Sequence, residues 1–151
     1  MKLVIAYDHT ALEMKAKIAA YLITREIEVL DICADTGVGM EYPIAGYKAA
    51  TLVASGQADG AVLICGTGVG ISLAANKVRG IRACVCSEPY SARMSRAHND
   101  SNVIVFGARV VGIEMAKAIV DAWLDTPFEG DRHAHRVALI NQIDETGALE
   151  S

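Results

Sequence analysis

The segment Leu63-Ile64-Cys65-Gly66-Thr67-Gly68-Val69-Gly70-Ile71 sets a thiol directly before three glycines at alternate positions. Glycines at that spacing let the backbone curl tightly and leave its N–H groups bare. A helix starting near Gly70 would aim its amino-terminal dipole at the same point and make an anion-binding nest. Cys65 then sits where a thiolate is stabilised; the competing reading is an inert buried cysteine at a strand end. Two other readings of the loop stay open. One is a strand-to-helix turn that needs glycine only for close packing. The other is a dinucleotide-binding loop, for which Glu88 lies near the place of a ribose-binding acid. Against it, the spacing is G-x-G-x-G and not G-x-G-x-x-G, and the loop follows the third predicted strand instead of the first.

Asp8-His9 closes the first predicted strand, and His98-Asn99-Asp100 precedes the fifth. Histidine suits proton shuttling near neutral pH. Both histidines read as loop residues at the carboxyl edge of one sheet, with the end of the fourth helix as the other reading of His98. In Arg132-His133-Ala134-His135-Arg136 the two arginines stand four apart, on one helical face. Paired guanidiniums are shaped for a phosphate; a solvated basic face is the alternative. Glu114 and Lys117 read as ordinary surface charges. The cysteines at 33, 65, 84 and 86 read as reduced thiols, because the start of the chain does not resemble a secretory signal. Cys84 and Cys86 would point to one face of a strand as packing residues, since no further metal ligands stand near them.

These residues need elements to hold them. Short apolar runs at 3–6, 28–32, 60–64, 83–86 and 103–106 read as strands. Between and after them, 11–23, 44–55, 71–77, 89–97, 111–124 and 133–143 read as helices, and 145–151 as a loose tail. Ile113, Ala116, Ile119, Val120 and Trp123 form an apolar stripe at helical spacing. Strand–helix alternation with short links predicts an α/β fold, a parallel sheet covered by helices on both faces. Ligands bind such sheets at the carboxyl ends of the strands. The loops at Asp8-His9, Cys65 to Gly70, Ser87-Glu88 and Gly107 to Arg109 should therefore share one edge. With 151 residues, 52% apolar and 21% charged, the chain fits a single domain over 1–151 with a real core. A net charge of −4 argues against a nucleic-acid partner, and no apolar run approaches a membrane span.

With these residues assembled, the sequence resembles the type B ribose-5-phosphate isomerases and their galactose-6-phosphate and allose-6-phosphate isomerase relatives. The resemblance covers nearly the whole chain. It is carried by Ile64 to Ile71, Ala74-Ala75-Asn76-Lys77, Gly80-Ile81-Arg82-Ala83, Cys86-Ser87-Glu88-Pro89-Tyr90-Ser91-Ala92 and Ser95-Arg96-Ala97-His98-Asn99-Asp100-Ser101-Asn102-Val103. It implies a Rossmann-like three-layer α/β/α sandwich with a five-stranded parallel sheet, assembled as a homodimer or dimer of dimers. It implies a cytoplasmic aldose–ketose isomerase of the pentose phosphate pathway, with ribose 5-phosphate and ribulose 5-phosphate as substrates and neither cofactor nor metal. Cys65 corresponds to the base that moves a proton between C1 and C2, helped by Thr67. Gly66, Gly68, Val69 and Gly70 belong to the loop whose amides hold the enediolate oxygen. His98 matches the residue that opens the sugar ring, while Asp8 and Asn99 hold hydroxyls. His9, Arg132 and Arg136 match phosphate ligands, the arginines coming from the neighbouring subunit, and Tyr42 and Arg109 match further substrate-binding positions. The chain departs from the pattern at Thr10-Ala11-Leu12, where relatives commonly carry Gly-Phe. It departs again at Glu41, where Asp is usual before Tyr-Pro, and in the loop from Cys33 to Met40. These departures bear on which sugar fits.

Overall fold

The structure, a computed structural model, describes residues 1–149. Five strands, β1 (Lys2–Tyr7), β2 (Glu28–Asp31), β3 (Gly60–Cys65), β4 (Ala83–Val85) and β5 (Val103–Gly107), form one parallel sheet in the order β2-β1-β3-β5-β4. The helices are α1 (Leu12–Thr24), α2 (Tyr42–Ala54), α3 (Val69–Ala75), α4 (Pro89–Asn99), α5 (Ile113–Leu124) and α6 (Asp131–Thr146). One layer pairs α2 with α3; the other joins α1, α5 and α4, with α6 packed outside α4. The sequence pattern explains the sandwich. Every residue of β3 and β5 is buried, as continuous apolar runs demand when both faces of a sheet are covered. Leu3, Ile5, Leu63, Ile64, Ile104 and Phe106 are wholly inaccessible, and each such side chain stabilises the fold by about 1.5–3 kcal/mol. On α5 the stripe Ala116, Ile119, Val120 and Trp123 is buried as its spacing predicts. No helix among the described residues is long and apolar enough to cross a membrane.

Element ends differ from the sequence reading where local chemistry allows a longer helix. Pro43 in the first turn lets α2 begin at Tyr42, because a proline there has no hydrogen bond to lose. Helix α6 runs to Thr146 and stops at Gly147, which takes the left-handed conformation (φ 74°). Glu145 and Thr146 are therefore helical and not part of a loose tail; residues 150 and 151 of that tail lie outside the described residues. A short 3-10 turn over Ala34–Thr36 was not legible in the sequence.

Topology corrects one placement. The loops after β1, β3, β4 and β5 share the carboxyl edge, but α4 carries the chain back before β5 begins. His98 lies in the last turn of α4, at the amino edge. There Arg82, just ahead of β4, donates through Nε to the carbonyls of Asn99 and Asp100 at 3.0 Å each. Cys65 pairs in register with Gly107, at the far end of β5. At about 3.3 Å per residue, β5 alone holds the two edges about 13 Å apart.

The carboxyl edge is tight. A methyl group on Gly107 would meet the backbone of Thr67 at 2.6–2.7 Å. Gly107→Ala should therefore lower unfolding free energy by about 1–3 kcal/mol. Gly112→Ala, where an added methyl meets nothing within 4 Å, loses only the preference for glycine at the start of α5 and should cost less than about 1 kcal/mol. Urea unfolding of the two variants checks the contrast.

Candidate active site

Cys65 ends β3 and is 4% exposed, its sulfur turned into the glycine loop. The Gly68 amide donates to Cys65 Sγ at 3.1 Å. Gly68 caps α3 with φ 82°, a conformation that costs a side-chain-bearing residue about 1–2 kcal/mol. A methyl there would also meet Phe106 backbone at 3.0 Å. The Val69 amide donates to Thr67 Oγ1 at 3.2 Å, so Thr67 is tied into the same turn. Among the described residues no acceptor takes the amides of Gly70 and Ile71, as the first turn of a helix must leave them. The Tyr42 ring packs so closely on Gly70 that an added methyl would meet it at 2.7 Å. The loop is thus an anion cradle with a sulfur at its root.

Side chains from three other carboxyl-edge segments surround it. Asp8, 6% exposed, follows β1 and receives the Thr10 amide at 2.9 Å and the Thr10 hydroxyl at 2.5 Å, both on Oδ1. Asp8, exposed His9, Glu41, Tyr42 and Pro43 line a cleft of about 370 Å³. From the β5 side, Arg109 reaches the loop: a methyl on Gly66 would meet its Nη1 at 3.7 Å and Thr10 Oγ1 at 3.5 Å. Glu88 is occupied elsewhere. Its carboxylate caps α4, accepting from Tyr90 and Ser91 amides at 2.6 and 2.9 Å. Hydrogen bonding from Ser91, its side chain first and then its amide, holds Glu88 below the usual carboxylate range. That leaves the dinucleotide reading without its ribose acid.

A second cluster forms at the amino edge, where α4 ends against α6. Its frame is a satisfied polar network: Trp123 Nε1 donates to Ser101 Oγ at 2.9 Å, and Ser101 and Ser95 hydroxyls meet at 2.8 Å. Asp100, in the left-handed region (φ 46°), ends the helix. His98 stacks on His133 with ring centroids 4.1 Å apart and 7° between planes. Glu129 Oε2 stands 3.9 Å from His98 Nε2 and 3.5 Å from His133 Nε2. Arg132 and Arg136 are exposed on α6 beside the pair, with Arg132 Nε 3.4 Å from His133 Nε2; exposed Asn99 adjoins on α4. Two imidazoles and a carboxylate within 4.8 Å are a donor set a divalent metal accepts. Here, however, a guanidinium points at one of the nitrogens, and the surrounding charge suits an anion better. Burial, then the neighbouring His98 and Arg132, holds His133 below its ordinary pKa.

One chain thus gathers Cys65, Thr67, Gly66, Gly68, Val69, Gly70, Asp8, His9, Tyr42 and Arg109 at one edge. It leaves His98, Asn99, Arg132 and Arg136 at the other. Three residues beside these clusters were given no site role in the sequence: Thr10, Glu129 and His133. Glu129 lies ahead of α6, so no helical spacing could flag it, whereas Asp8-His9-Thr10 carried a signal for a side-chain-closed turn. Cys84 and Cys86 are thiols, Cys86 buried and pushed up to about 12 by that burial, which suits packing and not chemistry.

The family model described as ribose/galactose isomerase matches residues 3–140. Ribose-5-phosphate isomerase B of Escherichia coli (strain K12) is 52% identical over 144 residues, covering 95% of this chain and 97% of that protein. A D-erythrulose-4-phosphate isomerase of Pectobacterium atrosepticum is 41% identical over 145 residues, covering 95% of each. The structure of Clostridium thermocellum ribose-5-phosphate isomerase B superposes with a TM-score of 0.93 at 48% identity, covering 98% of this chain and 100% of that one.

The His133 environment has a consequence for pH. Its folded-state pKa lies below the ordinary 6.5. As pH falls through that value, the unfolded chain takes up a proton that the folded chain refuses, and stability drops. Between pH 7.5 and 5.5 the native chain should lose more stability than His133→Asn in parallel denaturant titrations. Equal losses would contradict the assignment.

Proposed function

We propose, from the premise that this chain belongs to the ribose/galactose isomerase family, that it interconverts ribose 5-phosphate and ribulose 5-phosphate through an enediolate. The observation that carries the reading is the Gly68 amide aimed at the Cys65 sulfur at 3.1 Å, at the root of a loop whose next amides are open. Proton abstraction beside a carbonyl needs a base and a place for the charge that appears on oxygen. A stabilised thiolate supplies the first, and preorganised amides supply the second, each donor being worth about 3 kcal/mol in the transition state.

In this scheme Cys65 removes the C2 proton of the open-chain aldose, and the C1 oxygen takes up the negative charge. The open amides at the start of α3, those of Gly70 and Ile71, hold that oxygen. The proton returns at C1, and Thr67 assists the transfer of the hydroxyl proton from O2 to O1. Asp8 and Asn99 fix sugar hydroxyls, and Tyr42 closes the side of the loop. His9 and Arg109 approach the phosphate from the Cys65 edge. The remote phosphate positions the reacting carbons without taking part in the chemistry.

Ring opening and the rest of the phosphate clamp come from a second copy. His98, Asn99, Arg132 and Arg136 stand at the opposite edge, and β5 is too long for them to reach Cys65 of their own chain. Exposed Val69 and Leu73 on α3, with Val85 on the edge strand β4, offer apolar surface beside the loop for such a copy. A homodimer would then carry two complete sites, each with the partner subunit's His98 passing a proton between the C1 hydroxyl and the ring oxygen.

Three measurements test these readings. Cys65→Ala should lower kcat with ribose 5-phosphate by about a thousandfold and stop exchange of the C2 proton with solvent; persistent exchange would end the mechanism. A screen of four-, five- and six-carbon aldose phosphates, scored by kcat/KM, identifies the sugar. For the shared site, a Cys65→Ala chain mixed with an Arg136→Ala chain should recover part of the activity, since one of the two sites in the heterodimer is then intact. No recovery in a verified heterodimer would exclude it.

A further inference from the structure

Thr10 contributes two donors to one oxygen of a buried carboxylate. Its amide reaches Asp8 Oδ1 at 2.9 Å and its hydroxyl at 2.5 Å, the second within the range of charge-assisted bonds. Asp8 is 6% exposed, so water contributes little to holding it. Among the described residues no donor reaches Asp8 Oδ2, and no buried side-chain oxygen lacks a partner. Oδ2 is therefore reachable from outside, and the opening available to it is the cleft of about 370 Å³ that Asp8 shares with His9 and Tyr42. Thr10 also touches the other wall: its hydroxyl oxygen would meet a methyl on Gly66 at 3.5 Å. The same side chain therefore fixes the carboxylate and abuts the first residue of the anion cradle.

We propose that Thr10 is a positioning residue: by donating twice to Asp8 Oδ1 it fixes the carboxylate so that Oδ2 accepts a hydroxyl of the sugar phosphate. This rests on the functional reading above and deepens it. Without the hydroxyl, the carboxylate can rotate about its terminal torsion, whose well is broad, and the acceptor is no longer held toward the cleft. The interaction is made equally by bound substrate and transition state, so its loss appears in KM and not in kcat.

Thr10→Val keeps the branched shape and removes the donor; Thr10→Ser keeps the donor and removes the methyl. With ribose 5-phosphate, Thr10→Val should raise KM about tenfold while kcat stays within about threefold, and Thr10→Ser should stay within about twofold of the native KM. Calorimetric titration of ribulose 5-phosphate into Cys65→Ala, with and without Thr10→Val, should give the same ratio in Kd without turnover. An unchanged KM in Thr10→Val, or a Thr10→Ser as weak as Thr10→Val, overturns the proposal, the latter because it would trace the effect to packing of the methyl. If Thr10→Val does not fold, Thr10→Ala takes its place with the same expected ratio. If the native chain binds no sugar phosphate at all, the functional reading fails. Crystal structures of Thr10→Val and Thr10→Ser then decide the role of Thr10: an Asp8 carboxylate turned only in Thr10→Val supports it, and one unmoved in both overturns it.

Discussion

A single hydrogen bond, from the Gly68 amide to the Cys65 sulfur at 3.1 Å, sets the geometry of the carboxyl edge. It requires the chain to reverse within three residues, which requires a left-handed Gly68, which in turn places α3 with its open amides facing the same point. Gly107 is needed for the same reason on the neighbouring strand, since only a bare backbone fits against Thr67. Composition at these positions follows from contact distances. Cys86, with no such donor among the described residues, is a buried thiol whose surroundings disfavour charge.

Sheet polarity governs the rest. Every strand runs the same way, so loops that follow strands meet at one edge and helix ends that precede strands meet at the other. The first edge holds the Cys65 sulfur, the glycine loop and the Asp8 carboxylate; the second holds a stacked pair of histidines among arginines. Each edge is half of the proposed chemistry. The second copy in the proposed scheme follows from parallel topology combined with a helix-borne His98, which sets that residue at the edge away from Cys65.

Much of this was legible in the sequence. Apolar runs in β1, β3 and β5 announced a doubly covered sheet, and three alternate glycines after Cys65 announced a tight turn into a helix. Of the two readings of His98 the end of the fourth helix holds and the carboxyl-edge loop does not, because nearness to a strand in sequence does not say which end of the strand is near. A residue before β5 and a residue after β3 look alike in a one-dimensional pattern, and only the direction of α4 separates them. Thr10 drew notice only as a departure from the family pattern and Glu129 not at all, because their places depend on partners: a threonine gains meaning from the oxygen it touches. The 3-10 turn at Ala34–Thr36 had no periodicity to reveal it.

The close backbone contacts around the cradle also determine where disorder is lost on binding. With Thr67 against Gly107 and Tyr42 against Gly70, the protein has little freedom left to surrender there. A linear carbohydrate, by contrast, turns about each of its carbon–carbon bonds. The freezing of those torsions falls on the ligand, so discrimination between chains of different length should be read chiefly in how well the sugar's own shape is tolerated.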